Sequence, residues 1–295
     1  MTTGPDLLAT CWTTAGDAVP LSGRDDSPIA LPVRIAAAGK AGFTGFGILH
    51  NDLEIYLRSG GTLQELRDLL ADNGIRHVEL EFLTGWWQSG TPARAEADRV
   101  QDLLISAAEV LHPHHVKVGP DITGGDYDLD VWAGQWRRIS QAFADVGTVV
   151  ALEFMAFSNI STLDRALELV RTADHPAGGL MIDLWHIMRG GAHQLAQVAD
   201  VPAELITGVE LNDGVAELAD DGGYLECVLR RRIPGHGEWP VHALIRILQD
   251  KGWTGPWGIE ILSETYRMRP LDEALHDVVS STLEQFRLAE KSGAA

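Results

Sequence analysis

The chain has 295 residues, 45% hydrophobic and 22% charged, which is the composition of an ordinary globular protein. Its 23 basic and 42 acidic residues give a formal net charge of −19. This charge excludes nucleic acid as a favoured partner, because binding there rests largely on neutralising phosphates, and it argues against anionic membranes. With only Cys11 and Cys227, no apolar run of about 18 residues and no secretory signal pattern, we expect a cytoplasmic protein that acts on a small molecule.

Apolar segments rich in β-branched residues alternate with helical segments along the chain. Strands are predicted at 7–12, 43–49, 77–83, 115–119, 148–154, 179–184, 206–212 and 257–262. Helices are predicted at 29–39, 62–73, 93–111, 130–145, 161–173, 190–199, 240–251 and 271–290. Eight alternating pairs are typical of a (β/α)8 barrel. An open doubly wound sheet could share this alternation, but it would be expected to carry a glycine-rich phosphate turn, and none is present. We therefore predict an α/β fold, a single-domain (β/α)8 TIM barrel spanning 1–295.

Four acidic residues stand in similar surroundings on the last four predicted strands. Each has a large apolar residue on both sides, and the four are Glu153, Asp183, Glu210 and Glu260. Alternate side chains of a strand point to opposite faces, so the acids point away from their apolar neighbours. Consecutive barrel strands would bring them together at the carboxyl ends, where barrel active sites lie. A buried cluster of carboxylates is costly unless a cation neutralises it, so the pattern predicts a divalent-metal site.

Short motifs beside these acids carry a family resemblance. Asp183-Leu184-Trp185-His186 gives a D-x-x-H motif, and the segment 232–239, RIPGHGEW, looks like an R-x-P-G-x-G motif. With the V-A-L-E-F strand around Glu153 and Gly258-Ile259-Glu260, the chain resembles the xylose isomerase-like TIM barrels. This is the sugar phosphate isomerase/epimerase, or AP endonuclease 2-like, superfamily. The resemblance covers roughly residues 5–290 and is specific for the fold and the metal site.

The resemblance implies a set of metal ligands and a chemistry. The ligands would be Glu153, Asp183, Glu210 and Glu260. Glu210 departs from the family, in which the third ligand is commonly His or, in some branches, Gln; the alternative is that Glu210 is not a ligand and that Asp213 or water completes the shell. An all-oxygen site favours Mn²⁺ or Mg²⁺, with Co²⁺ or Zn²⁺ as the other ions. Glu153 and Glu260 resemble the catalytic pair that removes and returns a proton next to a carbonyl through an enediolate.

Other residues are candidates for substrate binding. The resemblance implies that His186 binds a substrate oxygen and that Arg232 binds a hydroxyl or carbonyl oxygen. His50 and Trp86 follow predicted strands and are substrate-contact candidates, although a polar loop and core packing are equally consistent with them. Lys117 is predicted to point inward, either into the site or into a structural ion pair. The histidines 112, 114 and 115 are predicted to be surface groups at the opposite end of the barrel.

The leading hypothesis is a divalent-metal-dependent sugar isomerase or epimerase acting on a ketose or a cyclic polyol ketone. The alternatives are a lyase or dehydratase of the same barrel family, of inosose, dehydroshikimate or keto-glycoside type, and a catalytically altered binding subunit. The endonuclease relatives are disfavoured by the net charge of −19 and by the excess of acids over histidines. The expected partner is a small carbohydrate-like substrate, with no nucleic acid and no membrane. A homo-oligomer, a dimer or a tetramer, stays open.

Overall fold

A computed structural model describes residues 4–23, 25–125, 127–218 and 223–292. Within this part of the chain, eight parallel strands close into a barrel in the order β1 to β8, and β8 pairs with β1. The strands are β1 Leu7–Ala9, β2 Gly45–Leu49, β3 His77–Leu83, β4 His115–Val118, β5 Val150–Glu153, β6 Gly178–Asp183, β7 Ile206–Leu211 and β8 Trp257–Ile259. The predicted (β/α)8 architecture is confirmed, although most strands are shorter than predicted.

The longer described helices form the outer layer of the barrel, and the short ones lie in the loops. They are α1 Cys11–Thr14, α2 Leu31–Ala41, α3 His50–Arg58, α4 Leu63–Asp72, α5 Pro92–Leu111, α6 Leu129–Ala144, α7 Leu163–Ala173, α8 Leu184–Arg189, α9 Gln194–Gln197, α10 Tyr224–Leu229, α11 Val241–Asp250 and α12 Leu271–Ser292. Four of them, α1, α3, α8 and α10, were not predicted as helices. The first three begin one or two residues after a strand at the carboxyl end of the barrel, and α10 lies in the loop after β7. They position the loops that surround the site.

The predicted helix 190–199 is wrong in its limits. Helix α8 starts directly after β6 and ends at Arg189, and only a short helix, Gln194–Gln197, follows it. Gly190 and Gly191 separate the two helices, and Gly191 adopts a φ of 127°, a conformation open to glycine but not to a helix. Glycine therefore ends the helix that carries His186, close to the strand end.

The barrel interior is filled by small and large side chains in alternation. At Gly208 a Cβ would lie 2.5 Å from Met181 Cε, so this glycine leaves the space that Met181 fills on the neighbouring strand. At Gly258 a Cβ would lie 2.6 Å from Val209 O. Both positions lie two residues before a site acid, and they let the strands approach closely beneath the acidic cluster.

No described helix combines the length and the apolar character needed to cross a membrane.

Candidate metal centre and active site

The four acids on the last four strands meet at the carboxyl end of the barrel. Glu153 and Asp183 are the last residues of β5 and β6, Glu210 lies in β7, and Glu260 directly follows β8. One oxygen of each carboxylate lies within 4.8 Å of an oxygen of every other. All four side chains are buried, none more than 3% exposed. The arrangement that the sequence pattern predicts is therefore present, and it concentrates negative charge where water is largely absent.

Lys117, on β4, lies at the centre of this negative charge. Its Nζ is 2.7 Å from Glu210 Oε1 and 2.8 Å from Glu260 Oε1. A third carboxylate, Glu81 on β3, has its Oε2 2.9 Å from Nζ, and its Oε1 accepts a hydrogen bond of 3.0 Å from the backbone N–H of Cys11. Lys117 is 1% exposed, so its ammonium group is paired with carboxylates instead of water. The inward orientation expected of Lys117 places it in the site.

Arg231 supplies the second buried cation. Its Nη1 lies 2.8 Å from Asp183 Oδ2 and 2.7 Å from Glu260 Oε2. The predicted arginine, Arg232, is exposed instead and donates to the backbone oxygen of His236 at 3.3 Å. The backbone explains the difference, because Arg232 pairs with Asp213 in an antiparallel bridge and consecutive side chains of an extended segment point to opposite sides. The structure thus brings Arg231, and not Arg232, to the acids.

His186 lies beneath the cavity floor. Its Nε2 is 3.3 Å from Glu153 Oε1 and 3.7 Å from Asp183 Oδ2, and the side chain is fully buried. Asp183 is held in place by two hydrogen bonds to its Oδ1, from Asn212 Nδ2 at 2.6 Å and from the backbone N–H of Trp185 at 2.8 Å. The D-x-x-H motif therefore positions both side chains in one turn, with the aspartate capping the helix that carries the histidine.

The donor set fits a divalent ion. Glu210 Oε2 is buried and has no hydrogen-bond partner among the described residues, which is costly for a carboxylate unless a cation lies beside it. Glu81 and the four acids carry five formal negative charges against the two positive charges of Lys117 and Arg231, and one divalent ion would offset two of the remaining three. All the donors are oxygen atoms, which suits Mg²⁺ and Mn²⁺.

Asp213, the alternative third ligand, is engaged elsewhere. Its two carboxylate oxygens accept hydrogen bonds of 2.7 to 3.0 Å from four backbone N–H groups, those of Gly214, Gly235, Gly237 and Trp239. Asp213 therefore organises the P-G-x-G loop, and both of its carboxylate oxygens already accept hydrogen bonds there.

Burial and neighbouring charges together shift the pKa values of the buried acids. It raises the pKa of Glu210 well above its usual value, and it raises the pKa of Glu260 to about 7. For Glu81, burial also acts to raise the pKa, but the charge of Lys117 and the Cys11 N–H outweigh it and the pKa is lowered. A cluster without a bound dication therefore favours holding protons on some of its acids.

A cavity of about 770 Å³ opens above the cluster. Its floor includes Lys117, Glu153, Arg231 and Glu260, while Asp183 and Glu210 lie below it. Aromatic side chains from several loops form much of the wall: Trp12, Phe82, Trp87, Phe157 and Tyr224. The cavity size is that of a small-molecule site, and its floor presents two of the four acids to whatever enters.

The other predicted substrate contacts divide between wall and core. His50 lines the cavity, and its Nδ1 accepts from the backbone N–H of Phe82 at 3.3 Å. Trp86 is fully buried in the core, and its Nε1 donates to Gly119 O at 2.8 Å. Its neighbour Trp87 lines the cavity instead. The tryptophan pair follows β3 as predicted, but the second member is the one that reaches the site.

The prediction that His115 is a surface group is wrong. Its side chain is buried, and its Nε2 lies 2.6 Å from Glu79 Oε2 inside the barrel. His115 is the first residue of β4 and alternates in phase with Lys117, so it points inward like Lys117.

The amino-acid sequence of this chain is similar to those of known proteins. The sequence profile of the family described as "Xylose isomerase-like TIM barrel" matches residues 35–282. A 3-dehydroshikimate dehydratase of Pseudomonas putida is 26% identical over 269 residues, which are 88% of this chain and 40% of that protein. An inosose isomerase of Halalkalibacterium halodurans is 25% identical over 236 residues, 76% of this chain and 79% of that protein. The chain thus spans about 40% of the length of the dehydratase that it matches.

Two solved structures show the same fold at low identity. The IOLI protein with a bound zinc atom has a TM-score of 0.80 at 18% identity, covering 95% of this chain and 97% of that one. An L-ribulose 3-epimerase has a TM-score of 0.74 at 13% identity, covering 99% and 97%.

Proposed function

Because the chain belongs to the xylose isomerase-like TIM barrel family, we propose that it is a divalent-metal-dependent enzyme that moves a proton next to the carbonyl of a small polyhydroxylated ketone. The observation that carries this proposal is the division of the four acids. Glu153 and Glu260 line the cavity, whereas Asp183 and Glu210 lie beneath it. Two carboxylates are thereby offered to a substrate in a site that two more acids anchor.

The protein's own residues supply the proton chemistry. A divalent ion held by Glu153, Asp183, Glu210 and Glu260 would supply Lewis-acid polarisation of the carbonyl and an adjacent hydroxyl. Glu153 and Glu260 would remove and return the proton, because both carboxylates reach the cavity floor and their surroundings differ. Glu260 lies between Lys117 and Arg231, whereas Glu153 has His186 as its neighbour at 3.3 Å. Differing surroundings separate the roles of two carboxyl groups in one site.

Two cations at the floor would stabilise developing negative charge. Lys117 Nζ and the Arg231 guanidinium both border the cavity, and neither residue is more than 2% exposed. Donors fixed in such a place act on the transition state without reorganising. With proton return to a neighbouring carbon or to the opposite face, the product is an isomer or an epimer. This isomerase or epimerase activity is the function we assign first.

The charge of the cavity wall favours an uncharged substrate. Among the residues that the structure describes, eight acidic residues line the cavity: Asp25, Asp26, Glu54, Glu81, Glu96, Asp121, Glu153 and Glu260. Four basic residues of the same described part also line it: Arg58, Arg99, Lys117 and Arg231. The acidic excess repels carboxylate- or phosphate-bearing compounds, so ketoses and cyclic polyol ketones fit better. The aromatic wall offers apolar faces against which a sugar or polyol ring can pack.

A dehydratase is the second candidate. The similarity to a 3-dehydroshikimate dehydratase, at 26% identity over 88% of this chain, favours it. After the same proton removal, expulsion of a β-hydroxyl group gives water and an unsaturated product. The substrate of that relative is a carboxylate, which the acidic wall of this cavity disfavours.

Product analysis separates the two candidates. Protein loaded with Mn²⁺ is incubated with ketoses, inososes and 3-dehydroshikimate, and the products are identified by NMR. We expect isomers or epimers of an uncharged ketone and no reaction in EDTA. An unsaturated product from an inosose or from dehydroshikimate would establish the dehydratase, and no turnover on any compound, with no Mn²⁺ bound, would favour a binding subunit.

A further inference from the structure

We propose that Lys117 is a positioning residue for the metal centre and that Lys117 and Glu210 work as one unit. In this unit the ammonium group holds one oxygen of Glu210 and thereby presents the other to the ion. This inference rests on the metal site of the proposed function, and it assigns to Lys117 a role that the four acids alone do not reveal.

The two oxygens of Glu210 have different surroundings. Oε1 accepts from Lys117 Nζ at 2.7 Å, whereas Oε2 has no hydrogen-bond partner in the part of the chain that the structure describes. The side chain is fully buried, so this oxygen does not face bulk solvent. A carboxylate anchored at one oxygen and bare at the other has its free acceptor directed by the anchor. Glu210 is one of the four acids that each have an oxygen within 4.8 Å of an oxygen of the others.

Lys117 is itself fixed by a carboxylate outside the group of four acids. Glu81 Oε2 lies 2.9 Å from Nζ, and Glu81 Oε1 is held by the backbone N–H of Cys11 at 3.0 Å. A chain of contacts therefore runs from Cys11, at the start of α1, through Glu81 and Lys117 to Glu210. Each side chain in this chain is at most 1% exposed. The ammonium group has no freedom to leave, and this rigidity is what a ligand-positioning group requires.

Charge explains why an ammonium group stands here. Four carboxylates around one dication would leave two uncompensated negative charges in a buried site, which is strongly unfavourable. Lys117 and Arg231 bring two positive charges against this excess, and Lys117 is shared with Glu81. Without Lys117, Glu210 would be a buried charge lacking its partner, and it would turn away or be neutralised. In either case Glu210 no longer binds the ion, although the residue is still present.

A double-mutant cycle on metal binding tests the unit. The probe is Mn²⁺ alone, titrated calorimetrically into metal-stripped full-length protein carrying Lys117→Met, Glu210→Gln or both. We expect each single variant to weaken Mn²⁺ binding about tenfold or more, and the double variant to match the weaker single variant within about threefold. Glu79→Gln is the matched control, because Glu79 Oε1 is 3.9 Å from Lys117 Nζ and Glu79 pairs with His115. It should leave the affinity within about threefold of the unmodified protein.

The contrary outcomes are distinct. Losses that multiply in the double variant would overturn the unit, and so would unchanged affinity in Lys117→Met. Tighter binding in Lys117→Met would mean that the ammonium group only repels the ion. In each of these cases the metal site itself would stand. Failure of the unmodified protein to bind Mn²⁺ would overturn the metal site and the unit together.

A second cycle avoids a folding defect in Lys117→Met. Glu81→Gln removes a charged contact of Lys117 and alters none of the four acids. It should weaken Mn²⁺ binding in the unmodified protein but not in Glu210→Gln. Equal effects of Glu81→Gln in both backgrounds would overturn the proposal. Circular dichroism of each variant establishes that it is folded.

Discussion

Arg231 Nη1 lies 2.7 Å from Glu260 Oε2, and the guanidinium group closes one side of the acid that directly follows β8. The same nitrogen is 2.8 Å from Asp183 Oδ2, so one side chain links two strands of the site. The neighbouring Arg232 is exposed. Two adjacent arginines thus offer a test of the site with its own control.

We expect Arg231→Lys to lower kcat/KM about a hundredfold or more, because a lysine keeps the charge but loses the planar group whose other nitrogens contact Cys227 and so hold Nη1 between the two carboxylates. Arg232→Lys should leave kcat/KM within about threefold, since its side chain is exposed and donates to the backbone oxygen of His236. Steady-state kinetics on the identified substrate check both variants. Equal losses in the two variants, or a loss only in Arg232→Lys, would contradict the placement.

Glu153→Gln and Glu260→Gln should each lower kcat by about 10² to 10⁴-fold, because each removes a proton-transfer group. Mn²⁺ titration of the same variants separates loss of the ion from loss of the base. A variant saturated with Mn²⁺ that turned over normally would refute the assignment of that residue as the acid or base.

Trp86→Ala and Trp87→Ala should have different effects. Trp86 is fully buried, so its removal should cost about 3–5 kcal/mol of unfolding free energy. Trp87 lines the cavity, so its removal should raise KM. It should also lower the unfolding free energy by less than Trp86→Ala does. Urea unfolding and kinetics on both variants check this; a large rise of KM in folded Trp86→Ala with none in Trp87→Ala would reverse the assignment.

Metal addition should stabilise the protein and reveal the role of Glu210. Mn²⁺ at about 100 times its Kd should add about 2.7 kcal/mol to the unfolding free energy. Glu210→His should shift the preference toward Zn²⁺ or Co²⁺, because an imidazole is a softer donor than a carboxylate. Thermal shifts with each ion measure both effects. An unchanged order of ions would mean that Glu210 is not a ligand.

His115 should make stability depend on pH. Burial, followed by the charge of Lys117, lowers the pKa of His115 to about 3 from 6.5. The unfolded chain therefore binds a proton here as the pH falls below about 6.5, whereas the folded chain does not until about pH 3. The contribution of His115 is complete above pH 6.5 and is lost as the pH falls toward 3.

Through His115, the unfolding free energy should drop by about 2 kcal/mol between pH 7 and pH 5. Urea unfolding of His115→Gln should show a drop smaller by that amount, because glutamine can still donate to Glu79 but does not titrate. Identical pH dependence of the two proteins would contradict the prediction.

The fold and the acidic cluster were accessible from the sequence because they rest on periodic patterns. Apolar residues on both sides of Glu153, Asp183, Glu210 and Glu260 fix which way each acid points, and strand order places them together. Lys117 has the same surroundings, Val116 and Val118, and its orientation was predicted. The partners of Lys117 on three other strands were not predicted. Alternation along a strand shows which way a side chain points, but it does not give its distance from side chains on other strands.

Two placements depend on a register that the sequence leaves open. Arg232 stands at an R-x-P-G spacing and Arg231 at an R-x-x-P-G spacing, and the bridge between Asp213 and Arg232 decides which of the two faces the acids. Trp86 and Trp87 are similarly ambiguous, because they lie in a loop where no alternation holds. Prediction failed where backbone geometry, not residue type, selects the side chain.

The most direct test of the proposed proton transfer is deuterium incorporation at the carbon next to the substrate carbonyl. Mn²⁺-loaded protein in D₂O, followed by NMR, should exchange that hydrogen at a rate at least comparable to turnover. The exchange should disappear in EDTA and in Glu153→Gln. Product formation without deuterium at that carbon, or exchange that continues in EDTA, would contradict metal-dependent proton transfer at this site.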